Sequence, residues 1–456
     1  MTVLATICLL SLAHAAAPQG DGQDPTAAAK AAPLLSGAEQ SGLHDKLVKY
    51  LEATEGYDAA SGLRDRERAG KAREKAKEAF EKEWDRLGKK GNLIASMADM
   101  RAIFANCFTV KAPPYTGSFR EQEVKGEGAK YGLYIPKAYK PETPVRTVVV
   151  LPGPSGTDEW QKPVDCFNAT WDKTAATADT AFHVVDLPKR IKMDPVPEFG
   201  REGADIDEQK RITSIWMGLG QTMGTVLNVD RNHVFLDCGK DTCSFGLRFA
   251  SIFPDRFAGL ILREPAKSTD IRLGSLVGLP ILLLKTEATA AAVDKLKGEL
   301  DAVSPGSVTV IDASDAFPHK GAADAISEWM GKQTRVMTPR RVVIEPNHDQ
   351  FNRAYWVDID RAAPLANAEN ANRPRIEVEA DRAQNRITVK TRGIDSFVLN
   401  LNDDLVDLDK EFTVVINDKA TVEKKTRSFN EMRDGMARRR DWEYLYPVTY
   451  SSLVPK

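Results

Sequence analysis

The chain has 456 residues, 42% of them apolar, and sets 63 lysines and arginines against 65 aspartates and glutamates. That length and apolar share support a large buried core, in one big domain with appendages or in two to three domains. The near balance of charge excludes a global electrostatic case for binding nucleic acid or an anionic membrane, and no nucleic-acid partner is expected.

The first residues carry a short apolar run from Val3 to Leu12, then Ala13, His14 and Ala15 in an A-x-A cleavage pattern. Residues 1–17 therefore read as a signal peptide, and the mature protein is expected to be secreted or periplasmic, without stable membrane insertion. Residues 18–36, rich in Ala, Pro, Gly and Asp, read as a disordered lead. A helical segment is expected over 37–116. Its stretch RDRERAGKAREKAKEAFEKEWDRLGKK alternates charges at i, i+4 spacing over a thin apolar stripe, as a helical hairpin docked on the main domain would.

From about 117 to 333 short apolar runs alternate with helical patterns, the βα order of a mainly parallel sheet. Strands are expected at Lys130 to Ile135, Thr147 to Leu151, Phe182 to Leu187, His233 to Leu236, Gly259 to Leu262, Ile281 to Leu284 and Val308 to Ile311. Helices are expected at Asp205 to Leu227 and Ala290 to Leu300. The most informative stretch is Val234 to Ile261, VFLDCGKDTCSFGLRFASIFPDRFAGLI. It has a buried strand, a turn glycine at Gly239, a helical apolar stripe at Cys243, Leu247, Ala250 and Phe253, and a stop at Pro254.

This stretch resembles the nucleophile elbow of the α/β-hydrolase fold, specifically exported esterases of the polyhydroxybutyrate-depolymerase and feruloyl-esterase kind. Their elbow runs D-x-x-R-[VI]-[YF]-L-x-G-x-S-x-G-G and exits through Y-P-D-R-F-A, which Phe253 to Ala258 matches closely. Counting from Val234 forward and from Pro254 backward, the nucleophile slot falls on Lys240, and the family's flanking glycines become Cys238 and Thr242. The resemblance also covers YGLYIPKAYKP and VVVLPGPSG, whose glycine turn supplies oxyanion donors in the family. Gly153 and Gly156 survive there, while Pro154 removes one N–H. Gly153, Gly156 and Asp241 are the expected ligand-binding positions.

Acyl transfer on this fold needs a nucleophile, a histidine base and an acid that holds it, with the acid after the sixth or seventh strand and the histidine after the last. The resemblance puts Thr289 in the acid slot of KTEATAAAV, with Glu287 nearby and Asp294 pointing away on the following helix. It puts His319 of IDASDAFPHKG at about the position of the base. Ser244 is the alternative nucleophile, through the S-x-G echo in SFG, although helical geometry carries it one turn past the tip. Cys243 as thiolate, Asp241 as attacking carboxylate and Lys240 as Schiff-base amine are further alternatives.

Cys107, Cys166, Cys238 and Cys243 would remain after signal removal, compatible with two disulfides or with buried free thiols. No second Cys/His pair accompanies Cys238 and Cys243, so neither metal nor cofactor is expected. Residues 340–456 show alternating runs at Arg341 to Glu345, Ala354 to Ile359, Arg375 to Ala380, Arg386 to Thr391, Ser396 to Leu401 and Phe412 to Ile416, the pattern of a small β-sandwich-like domain. Phe351, Tyr355 and Trp356 are expected in core or interdomain packing, and the basic helix Ser428 to Trp442 on a solvated or acid-paired face. The expected protein is an exported α/β-hydrolase-fold chain of esterase ancestry, catalytically impaired, with a binding or structural role toward a small-molecule or polymer ligand. The alternative is an active carboxylic-ester hydrolase or peptidase using Ser244 and His319.

Overall fold

A computed structural model describes residues 32–124, 130–152, 162–186, 215, 218–240, 242–265, 271–347, 352–365 and 373–455. The expected signal peptide, Gly153, Gly156, Asp241, Phe351 and most of the helix expected at Asp205 to Leu227 lie outside these residues. Of that helix, 215 and 218–221 are helical and lead into a π turn over Thr222–Val226.

Eight strands, β1 (Ser118–Glu123), β2 (Lys130–Ile135), β3 (Val145–Leu151), β4 (Thr180–Val185), β5 (Val229–Gly239), β6 (Gly259–Arg263), β7 (Ile281–Lys285) and β8 (Val308–Asp312), form one sheet. Its order is β1-β2-β4-β3-β5-β6-β7-β8. The pairs β1/β2 and β2/β4 are antiparallel and every later pair is parallel. The central strands read as continuous apolar runs because both sheet faces are covered. Alternate residues serve opposite faces: Leu236 and Leu260 join the core under the helices Thr242–Ile252 and Ala290–Val303, while Phe235 and Ile261 join that under Pro163–Thr170 and Ala323–Gly331.

The α/β architecture and the seven expected strands are present, with β5 longer than expected. The strand missing from the sequence reading is β1, whose SFREQE is too polar to show an apolar alternation. It is one of the two outer strands of the sheet, where a charged sequence is tolerated.

Two further sheets follow. Strands β10 (Arg353–Ala354), β11 (Val357–Ala362), β14 (Ile394–Leu401) and β17 (Val448–Leu453) form one, in that order. The other runs β16-β15-β13-β12-β9, from β16 (Lys419–Glu423), β15 (Phe412–Ile416), β13 (Arg386–Arg392), β12 (Arg375–Asp381) and β9 (Arg341–Ile344). Their inner residues, among them Trp356, Val378, Val389, Phe397 and Val414, share one core. Tyr355 and Trp356 are buried there as expected, and the Tyr355 hydroxyl reaches the carbonyl of Pro254.

The helices Gly37–Asp58, Leu63–Gly88 and Met97–Phe104 come first in the chain but pack with its end. Leu43, Leu47, Phe80, Leu87 and Met100 cluster with Met432 and Met436 of the helix Phe429–Arg439 and with Trp442 and Leu445. The hairpin was expected to dock on the α/β domain. Its apolar stripe instead meets the apolar side of the basic helix, a complementarity that charge counting alone hides. Arg439 pairs with Asp255, Arg433 with Asp434, and Arg440, just beyond the helix, with Glu55, while Arg438 is exposed.

Candidate functional site

Strand β5 ends at Gly239, and the next residue, Lys240, takes φ +43° before the helix Thr242–Ile252 begins. That left-handed turn for a non-glycine residue is the strained strand-to-helix corner that an elbow requires. Backbone bonds pin it: Lys240 N–H donates to the carbonyl of Arg263, and Cys243 N–H to that of Lys240. A side chain at Gly239 would meet the Phe317 ring at 2.7 Å, so a larger residue there would have to displace that ring.

The departures from the family pattern have physical accounts. Thr242 is buried, and its hydroxyl accepts from Gly239 N–H at 2.9 Å and lies 3.1 Å from the carbonyl of Leu151 and 3.0 Å from that of Gly239, bracing the corner against β3. Cys238 fits because Gly246 leaves room: a Cβ there would lie 2.2 Å from the Cys238 sulfur. The close approach that small residues permit has moved into the helix.

Lys240 is half exposed, with Nζ 3.5 Å from Glu264 Oε2 and 4.4 Å from the Phe317 ring centroid. Glu264 follows the neighbouring strand β6, also at positive φ (+50°), and its other oxygen lies 3.1 Å from Nε2 of His319. That approach falls outside hydrogen-bond geometry and leaves the buried Nε2 without a hydrogen-bond partner among the described residues. His319 itself sits at φ +64°. Its Nδ1 is 2.8 Å from the Asp315 carbonyl oxygen and 3.6 Å from the Asp315 carboxylate, which in turn accepts from Gly321 N–H. Three left-handed side-chain-bearing residues from three separate segments thus meet in one charged cluster. Such strain persists only where its surroundings enforce it.

Beneath the elbow lies a second, fully buried pair. Arg263 donates to both oxygens of Asp237, at 2.8 and 3.0 Å, while the Trp171 indole N–H donates to Asp237 at 2.9 Å. Arg263 also donates to the Pro318 carbonyl at 2.6 Å. Asp237 is therefore bound to Arg263 and Trp171, and it is Glu264 that neighbours Lys240.

The other expected residues stand apart from His319. Thr289 spends its hydroxyl on Thr286 N–H, capping its own turn, and makes no bond to His319 among the described residues. Glu287 is exposed, and Asp294 pairs with Lys285. Ser244 is partly exposed in the first turn of its helix, and its hydroxyl makes no hydrogen bond among the described residues. The four cysteines are buried free thiols rather than two disulfides. Burial pushes the Cys107 thiol up to about 12 and raises those of Cys166 and Cys238, which suits inert core residues. Cys243 faces the carbonyls of Cys238 and Arg263.

Sequence reasoning missed Glu264 and Asp315. The first had one signal, the charged Arg263 and Glu264 closing an otherwise apolar strand beside the elbow strand. Asp315 had only its i, i+4 spacing to His319.

The sheet order and the elbow together define an α/β-hydrolase fold. Neither a protein-family model nor a curated protein sequence matches the chain. Similar solved structures include a thermostable esterase, at 19% identity over 48% of this chain and 63% of that one, TM-score 0.36. This chain thus spans less than two thirds of that esterase. Others are an S-formylglutathione hydrolase from Agrobacterium tumefaciens, at 12% identity over 49% of this chain and 99% of that one, TM-score 0.37, and the fluorophosphonate-binding serine hydrolase FphF of Staphylococcus aureus, at 12% over 47% and 99%, TM-score 0.33. No helix among the described residues is long and apolar enough to cross a membrane.

Proposed function

We propose that this is an exported protein of esterase ancestry whose acyl-transfer site is degenerate and serves a binding or structural role. One observation carries the reading: Lys240 occupies the elbow tip, and the carboxylate beside it, Glu264, faces the ring nitrogen that a nucleophile's hydroxyl would address. A serine-type mechanism needs that nitrogen to take a proton from the nucleophile, and here a carboxylate and an ammonium stand in its way. Loss of the nucleophile alone removes nearly all such chemistry.

The half-exposed ammonium at a helix N-terminus favours an anionic group, a carboxylate or an acidic glycan, with Glu264 limiting the strength of the attraction. The A-x-A pattern after Val3 to Leu12 supports export.

A fluorophosphonate probe tests the central claim. The expected result is no labelling of the natural protein, and a gain only when Lys240→Ser is combined with Glu264→Ala, which clears the ring nitrogen of His319. Labelling of the natural protein that disappears in Ser244→Ala would overturn the reading in favour of an active hydrolase. For export, mass spectrometry of the protein from an exporting host should find residues 1–17 removed; an intact N-terminus would count against it.

A further inference from the structure

We propose that the chain forms a two-fold dimer in solution through β8, the strand that ends the large sheet, so that two sheets join edge to edge. Nothing pairs with the outer side of β8 among the described residues. The two outer strands of that sheet differ in chemistry. β1 carries Arg120, Glu121 and Glu123, whereas β8 reads Val-Thr-Val-Ile before its first charge, Asp312. Charge, proline or a bulge on an outer strand deters further pairing, and β8 has none of these from Val308 to Ile311. Val308 and Val310 are half-buried against the core of one sheet face and Ile311 against that of the other, so a strand laid alongside would extend both cores.

The backbone fixes the register. Ile281 N–H donates to the Ser307 carbonyl and Ala313 N–H to that of Lys285, so the odd-numbered residues of β8 turn their peptide groups to β7. Val308, Val310 and Asp312 therefore turn theirs outward. An antiparallel copy centred on Val310 meets them with its own: the two Val310 residues exchange N–H to C=O bonds, and Val308 does so with Asp312 of the second copy. Each Asp312 then faces a valine and is already 3.6 Å from Lys285 of its own chain. The two Asp312 carboxylates stand about 13 Å apart along the strands, beyond the ~8 Å screening length of physiological salt. Pairing β8 with the charged β1 of another copy would be head-to-tail and would generate rings or filaments, whereas β8 with β8 closes as a dimer. So short a contact makes the dimer weak and dependent on concentration. The reading of Lys240 plays no part in it.

Sedimentation velocity on the intact chain over a concentration series is the test. A reversible monomer–dimer equilibrium is expected. Val310→Pro removes the outward N–H at the two-fold axis but no bond to β7, so the variant should keep its circular dichroism spectrum and sediment as a monomer at every concentration. Val310→Lys sets two ammoniums opposite each other and should weaken the dimer about tenfold, with part regained at high salt. Arg120→Glu, in β1, should leave the dimer unchanged. A monomer throughout, a dimer that survives Val310→Pro, or assembly beyond the dimer would each overturn the proposal. If Val310→Pro fails to fold, Val310→Lys decides: dimerisation as strong as in the natural protein would overturn it. Loss of association in Arg120→Glu would place the contact on β1 and overturn the assignment to β8.

Discussion

The molecule buries charge in two places and uses it differently. Where the three parts of the chain meet, Asp441 receives both guanidinium nitrogens of Arg335, at 2.7 and 2.9 Å, with Arg256 3.8 Å away, and Asp255 pairs with Arg439. These acids and bases come from the turn Pro254–Arg256 of the α/β domain, the segment after that domain and the C-terminal helix region, and each carboxylate is met by arginine. At the elbow the arrangement is looser. Glu264 is shared between a half-exposed lysine and a buried histidine, and all three residues hold left-handed backbone. The first cluster meets each carboxylate with arginine and joins elements, although Nε of Arg335 and of Arg439 is buried without a hydrogen-bond partner among the described residues; the second keeps a cation at the surface at the cost of local strain. Carboxylates enclosed by arginine serve cohesion, whereas backbone strain under a half-exposed charge is the pattern of a site.

Removing one carboxylate from the arginine-rich junction should produce the largest effect. Asp441→Asn would strand Arg335 without its counterion, and breaking a fully buried pair costs about 3–5 kcal/mol. Burial alone would raise the Asp441 carboxyl, but the charge and hydrogen bonds of Arg335, with Arg256 and Arg231 near, outweigh it and hold the group well below the usual carboxylate range. A depressed folded value means that the contribution is complete above the ordinary aspartate value of about 4 and is lost as the pH falls below it. Urea denaturation at neutral and acid pH should therefore show the gap between natural and Asn proteins narrowing below about pH 4. A constant gap would mean that Asp441 is not the acid-sensitive group of the junction.

The pair beneath the elbow should come next. Asp237→Asn removes the carboxylate that meets Arg263 and Trp171, with an expected loss of about 3 kcal/mol. Arg263 keeps the Pro318 carbonyl and its stacking on Trp171, which makes this loss the smaller. Replacing both, as Asp237→Leu with Arg263→Met, should cost less than either single change, because no charge is then left stranded. If the double variant is instead the worst, the pair belongs with the site rather than with the scaffold, and the contrast between the two clusters would need redrawing.

Much of this was legible in the chain and some was not, for reasons that differ by residue. Lys240 could be placed because a strand, a turn and a helix exit are all local in sequence, and each constrains the count between them. His319 could be placed by its position after the last strand. Glu264 reaches the site only because β5 and β6 are neighbours in register, Gly239 opposite Arg263, which no motif spells out. The basic run after Ser428 has the same difficulty in a stronger form, since the acids that neutralise it, Asp255 and Glu55, lie in other parts of the chain. Weak patterns were missed for energetic reasons: β1 and β16 carry few apolar residues, being outer strands whose pairing is carried by backbone hydrogen bonds.

The smallest expected effect tests the strain on which the elbow's side of the comparison depends. At φ +43° a side chain costs about 1–2 kcal/mol relative to a right-handed residue, while glycine enters that region freely and gives back part of the gain as unfolded-state entropy. The Lys240 ion pair is half exposed and is worth about 0–1 kcal/mol. Lys240→Ala should therefore lose that pair and keep the strain, whereas Lys240→Gly loses the same pair and releases the strain. The difference between the two variants isolates the backbone term, and glycine should be the more stable by about 0.5–1 kcal/mol in a denaturant titration. Equal stabilities would mean that the elbow turn is relaxed, and Lys240 could no longer be read as a residue held in place against its own backbone preference.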